Sequence, residues 1–209
     1  LARWDDRLHL FVRWRRERSA VQATVANPST VVGGTILEKF AKFTQIQSGV
    51  VLDIGCAAGE IARYFDFDEY WGVDPMPLAN GNKRILKGIG ENLPFNGGTF
   101  DHIILSQVLD HCADPQQLFA EVVRVARPGA KVHAMQYVID GDRRELGYLL
   151  ARVKRALGIQ VKVHSWETKP RLLTEHEVLR LIGSTSALEC RCWNNQLLES
   201  QILLTAHVR

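Results

Sequence analysis

Two acids and a run of small residues are the first places in this chain where chemistry could start. Asp53, Gly55 and Gly59 stand in Asp53-Ile54-Gly55-Cys56-Ala57-Ala58-Gly59, directly after the apolar run Val50-Val51-Leu52. Small residues between a buried strand and a following helix let backbone N–H groups approach a ligand closely. Asp74 closes a second apolar run, Tyr70-Trp71-Gly72-Val73. An acid at the end of such a strand can accept hydrogen bonds from both hydroxyls of a ribose. A dinucleotide-binding turn would read Gly-x-Gly-x-x-Gly, its middle glycine admitting a pyrophosphate. Here that position is Ala57, and the next candidate glycine is Gly72. The pyrophosphate reading is weakened accordingly.

A framework of strands and helices must hold these residues. A helix from about Thr35 to Thr44 leads into the strand at Val50, and a helix is expected after Gly59. The second strand ends at Asp74, stopped by Pro75 and Pro77, and a short third strand lies around Arg84–Gly88. Phe100–Ser106 reads as a fourth strand, buried on both faces. Asp114-Pro115 starts a helix, with Asp as N-cap and Pro at the first helical position, and Arg127-Pro128-Gly129 ends it. Ala130–Val138 is a fifth strand. Thr174 and Glu177 form a capping box that opens another helix, and Ala187–Trp193 and Ser200–Val208 make a terminal antiparallel hairpin joined at Asn194-Asn195. Alternating strands and helices give a parallel sheet covered on both faces. The expected fold is an α/β three-layer αβα sandwich on a seven-stranded, mostly parallel sheet with its last strand antiparallel.

At 209 residues the chain fits one domain with a sizeable core. A net charge of +3 neither demands nor excludes nucleic acid. Cys56, Cys112, Cys190 and Cys192 include no Cys-x-x-Cys pair, so reduced thiols, no metal and a cytoplasmic setting are expected. No apolar run approaches the roughly 18 residues that span a bilayer. The first 18 residues, studded with arginine, do not read as a signal peptide, and a start at Leu1 leaves room for a preceding segment.

Asp-x-Gly-x-x-x-Gly after an apolar strand resembles the first motif of class I S-adenosylmethionine (SAM)-dependent methyltransferases, with Ala57 where the family usually has glycine. Glu91-x-Leu93-Pro94-Phe95, followed by Thr99-Phe100-Asp101, resembles the loop that wraps the adenine in that family. Ile89 departs from the pattern, since an acid often stands there. Leu105-Ser106-Gln107-Val108-Leu109-Asp110-His111 resembles the segment that ends beside the transferred methyl in small-molecule methyltransferases, and Arg127-Pro128-Gly129 is also similar to the family. The resemblance covers about Val50 to Val138. It implies that Asp53, Gly55, Cys56, Ala57, Gly59, Asp74, Pro75, Gly90, Glu91, Leu93, Ser106 and Gln107 hold SAM, or S-adenosylhomocysteine (SAH) as product. His111 is the candidate base, with Asp110 to orient it or bind substrate. His164 is a candidate acceptor-binding residue.

The expected organisation is a single domain over 1–209: a helical cap over 1–45, a cofactor-binding core over 50–138, and a substrate-recognition insert with the terminal hairpin over 139–209. Two basic amphipathic helices, in residues 1–18 and 142–157, either turn a solvated face to water or touch an anionic membrane or substrate. The expected function is methyl transfer from SAM to a small molecule, lipid or glycan. Nucleic acid is not indicated, and the oligomeric state is not readable. The rivals are a nicotinamide-dependent Rossmann oxidoreductase, disfavoured by Ala57 and by the lack of a Tyr-x-x-x-Lys pair after the fourth strand, and a catalytically degenerate SAM-binding subunit that docks a partner.

Overall fold

Alternation along the strands divides the core into two halves. The computed structural model describes residues 33–77, 84–139, 173–194 and 201–209. Its elements are α1 (Gly33–Thr44), β1 (Val50–Ile54), β2 (Glu69–Asp74), β3 (Ile85–Lys87), β4 (Phe100–Ser106), α2 (Pro115–Val125), β5 (Ala126–Tyr137), α3 (Glu175–Gly183), β6 (Leu188–Asn194) and β7 (Gln201–Val208). In β1, Leu52 and Ile54 point into one cluster with Leu118, Phe119 and Val122 of α2 and Val178 and Ile182 of α3. Val51 points the other way, into a cluster with Phe40 of α1, Ile61, Phe65 and Tyr70. Successive strand side chains point to opposite faces, so β1 needs cover on both. Three layers result, helix on sheet on helix.

The seven strands lie in the order β3-β2-β1-β4-β5-β7-β6. β1 pairs in parallel with β2 on one side and β4 on the other. The chain builds outward from β1 to β3, then returns to start again at β4. This reversal opens a crevice beyond the C-terminal ends of β1 and β4, the place where open α/β sheets bind ligands. Among the described strands β7 alone runs against its neighbours, antiparallel to both β5 and β6. The expected seven-stranded sheet with a reversed last strand is the observed one.

Two expectations fail locally. No α-helix follows Gly59; a five-residue 3-10 turn, Glu60–Tyr64, takes its place. Only residues 55–68 separate β1 from β2, and a 3-10 turn gains about 2.0 Å per residue against 1.5 Å for an α-helix. The helix α2 stops at Val125, and β5 begins at once at Ala126 instead of at Ala130. Arg127-Pro128-Gly129 is therefore not a helix end but an irregular stretch inside the strand. The register slips there: Phe100 pairs with Ala126, while His102 pairs with Lys131. Gly129 takes φ +80° in this stretch, and Arg127 is anchored to Asp101 at 2.6 Å. The capping box at Thr174 and Glu177 is present. Both basic amphipathic helices, His164 and residues 195–200 of the hairpin turn lie outside the described residues. Among those described, no helix is long and apolar enough to cross a membrane.

Candidate functional site

The turn after β1 is held in an uncommon backbone conformation. Gly55, Ala57 and Gly59 all have positive φ, at +76°, +49° and +73°. Glycine adopts this region freely, whereas an alanine there costs roughly 1 kcal/mol. Gly55 has a second constraint. A Cβ there would lie 2.1 Å from Cγ2 of Val108, so the turns after β1 and β4 touch through this glycine. The N–H groups of Gly55 and Cys56 both donate to the carbonyl of Val73, at 2.7 and 3.3 Å, hooking the turn onto the end of β2.

Asp74 completes the hook. Its Oδ2 accepts from the N–H of Ala57 at 2.9 Å, and its Oδ1 accepts from the N–H of Met76 at 2.7 Å. Each carboxylate oxygen can accept more than one hydrogen bond, so Asp74 braces the turn with capacity left for hydroxyl donors. Beneath the turn, Asp53 is 2 % exposed. Its Oδ2 accepts from the Tyr70 hydroxyl at 2.7 Å, while Oδ1 has no hydrogen-bond partner among the described residues. Cys56 turns its thiol inward into space that Gly72 leaves, 2.6 Å from where a Cβ would sit. Burial and the neighbouring Asp53 and Asp74 push that thiol well above its ordinary range.

The turn after β4 is stitched to β5. Gln107 has φ +57°; its N–H donates to the Met135 carbonyl, and its side-chain oxygen accepts from the N–H of Tyr137, both at 2.7 Å. Gln136, buried in β5, reaches back. Its oxygen accepts from the N–H of Leu109 at 3.1 Å, and its amide nitrogen donates to Asp110 Oδ1 at 2.9 Å. The other Asp110 oxygen faces Nε2 of His111 at 3.6 Å, with Asp110 almost fully buried and the His111 side chain 23 % exposed. A buried carboxylate thus sits behind an imidazole that reaches solvent. That arrangement can hold a proton and release it.

A methyltransferase-domain family model matches residues 52–134. An uncharacterized methyltransferase of Mycobacterium sp. (strain JLS) is 39 % identical over 88 residues, which cover 38 % of this chain and 35 % of that protein. Residues 52–134 thus carry a methyltransferase domain, and the sheet around them has the fold of the class I SAM-dependent methyltransferases. Norajmaline N-methyltransferase of Rauvolfia serpentina is 27 % identical over 103 residues, 42 % of this chain and 35 % of that one. The chain spans about a third of the length of these curated relatives. The crystal structure of a SAM-dependent methyltransferase from Aquifex aeolicus superposes with a TM-score of 0.59 at 16 % identity, covering 83 % of this chain and 89 % of that one. This last likeness concerns the fold.

In this methyltransferase domain the residues expected to hold cofactor fall into three groups. Asp53, Gly55, Cys56, Ala57, Gly59 and Asp74 come together at the turn after β1, with Pro75 next to Asp74. Ser106 and Gln107 lie at the end of β4, joined to the first group where Val108 meets Gly55. Gly90, Glu91 and Leu93 lie on the loop before β4, where the Glu91 and Leu93 side chains are turned to structural tasks and Gly90 packs close against α2. Glu91 Oε1 accepts from the N–H groups of Ala113 and Asp114, at 2.8 and 3.4 Å. Leu93 is buried in the core, its N–H donating to Glu121 Oε2 at 2.7 Å. A Cβ on Gly90 would meet Leu118 at 2.4 Å. What this loop leaves for an adenine is backbone and the flank of Ile89. Tyr70, Val108 and Gln136 went unnoticed in the sequence. Gln136 alone carried a signal, as a polar residue inside the apolar run of β5.

The site residues fit a nucleoside cofactor of the SAM type. The glycine cradle is one that a Cβ at Gly55 would fill, Asp74 offers a carboxylate beside it, and Asp53 Oδ1 is a buried acceptor without a donor among the described residues.

Proposed function

We propose that this domain transfers the methyl group of SAM to a small molecule, lipid or glycan. The observation that carries this reading is Asp74 at the end of β2, bonded to the left-handed turn of β1 at Ala57, at the switch point of the sheet. Asp74 would accept the ribose hydroxyls, and the backbone of Gly55–Gly59 would cradle the remainder of the cofactor. Bound SAM supplies a methyl already activated on a sulfonium. The chain's task is then alignment, which alone can lower a barrier by several kcal/mol. An acceptor hydroxyl or ammonium must also lose a proton. His111 would take it, with the buried Asp110 carboxylate steadying the resulting imidazolium and Gln136 holding Asp110 in place.

Calorimetry with SAM, SAH and NAD tests the cofactor. Binding of SAM and SAH without NAD is the expected result, and binding of NAD alone would return the domain to the oxidoreductases. Incubating a metabolite extract with the protein and methyl-labelled SAM, followed by mass spectrometry, identifies the acceptor. SAM binding with no labelled product from any extract fraction would favour a degenerate subunit.

A further inference from the structure

Among the described residues, Asp53 is the buried acid of the site that is left half-partnered. It faces the same side of the sheet as Tyr70 and lies level with Gly72 on β2, so Tyr70 reaches it diagonally from two residues back. The ring of Tyr70 is seated in the core against Phe67, 5.5 Å between centroids. Its hydroxyl also underlies the turn, since a Cβ on Gly59 would stand 3.3 Å from that oxygen. One hydroxyl therefore binds the acid and lies close to the turn at Gly59.

The surroundings of Asp53 supply no positive charge among the described residues. On β2 stand Tyr70 and Asp74, from the turn comes the Cys56 thiol, and the lateral neighbour on β4 is the apolar Ile104. Burial pushes the Asp53 carboxyl up to about 7, the Tyr70 hydrogen bond works against that rise, and Asp74 adds to it. A buried carboxylate with an empty acceptor is costly until a cation or donor arrives.

We propose that Tyr70 is a positioning residue for the cofactor: by binding Oδ2 it holds Asp53 so that the unpartnered Oδ1 lies beneath the Gly55–Gly59 turn as the anionic counterpart of a cationic ligand. This rests on the SAM reading above. SAM carries a net positive charge at neutral pH, and SAH, which lacks the methyl and the sulfonium charge, carries none. Ionised Asp53 therefore favours SAM over SAH, and Tyr70 sets the pH at which that preference appears. Product release benefits from the same difference.

The test is calorimetry with SAM and with SAH between pH 5.5 and 7.5, on the wild type, Tyr70→Phe and Asp53→Asn. In the wild type SAM affinity rises about tenfold across this range, while SAH affinity changes by less than about threefold. Tyr70→Phe keeps the ring and removes the donor. It moves the SAM profile up by about one pH unit and weakens SAM about fivefold at pH 7, with SAH little changed. Asp53→Asn flattens the SAM profile. A Tyr70→Phe profile superimposable on the wild type, or equal pH dependence for SAM and SAH, overturns the proposal. If Tyr70→Phe fails to fold, Asp53→Asn decides: a SAM-to-SAH preference that still rises with pH overturns it. Failure of the wild type to bind either ligand at any pH defeats the SAM reading itself, whereas pH-independent binding of SAM defeats only the role of Asp53 and Tyr70.

Discussion

Gly55→Ala separates two costs that meet at one glycine. The first is conformational, because φ +76° places an alanine in the left-handed region, at roughly 1 kcal/mol. The second is steric. The new Cβ would stand 2.1 Å from Cγ2 of Val108, and overpacking of this kind costs about 1–3 kcal/mol. Together they predict a loss of about 2–4 kcal/mol. Val108→Ala removes the colliding methyl and alone costs about 1 kcal/mol, since Val108 is only partly buried. In the double mutant the steric part vanishes and the conformational part stays, so the two substitutions are coupled by about 1–3 kcal/mol in the stabilising direction. Urea unfolding at constant slope reads all four corners of the cycle. With a slope of about 2–3 kcal/mol/M, Gly55→Ala alone lowers the midpoint by about 1 M. A wild-type midpoint for Gly55→Ala, or additive effects in the double mutant, would refute the close approach of the two turns.

Asp74→Ala removes the carboxylate that braces Ala57 and Met76, and SAH affinity measured by calorimetry is expected to fall at least about tenfold, equivalent to about 1.4 kcal/mol; unchanged affinity would take the ribose from Asp74. His111→Ala is expected to slow methyl transfer, once an acceptor is in hand, with SAH affinity intact, and a wild-type turnover number would remove the imidazole from the mechanism. His133 is fully buried in β5 between Thr205 and His102, at 3.0 and 3.1 Å; burial, and after it His102, Lys131 and His207, press its pKa down to about 3. The unfolded chain takes up that proton near pH 6.5 and the folded one only near 3, so stability is complete above about 6.5 and lost as pH falls toward 3. His133→Gln is expected to flatten the fall of the urea midpoint between pH 6.5 and 4.5, and an unaltered slope would assign acid sensitivity to other groups.

Much of the framework was legible because it depends on local pattern. The apolar runs at Val50, Tyr70 and Phe100 announce strands buried on both faces, Asp114-Pro115 announces a helix start, and the spacing of Asp53, Gly55, Gly59 and Asp74 marks the candidate cofactor turn. The misreadings came where local signals were overruled by connection length and pairing. Residues following Gly59 have ordinary helix-forming composition, yet the short path from β1 to β2 draws them into a 3-10 turn. Arg127-Pro128-Gly129 carries the usual signs of a helix end, yet pairing with β4 draws Ala126 into β5 and leaves those residues as an irregularity inside it.

Sequence alone determined which residues could serve a nucleoside cofactor, since the acids, glycines and strands lie close together along the chain. Only the tertiary structure decided what each of them touches. Gln136 meets Asp110 across 26 positions and Tyr70 meets Asp53 across 17, contacts made by the sheet bringing distant segments together and not by spacing. Tertiary packing likewise turned Leu93 into the core, gave Glu91 to the backbone ahead of α2, and left one oxygen of Asp53 without a partner among the described residues. Hydrogen bonds between side chains on different strands are set by which residues the sheet brings level, and that is a property of the assembled fold.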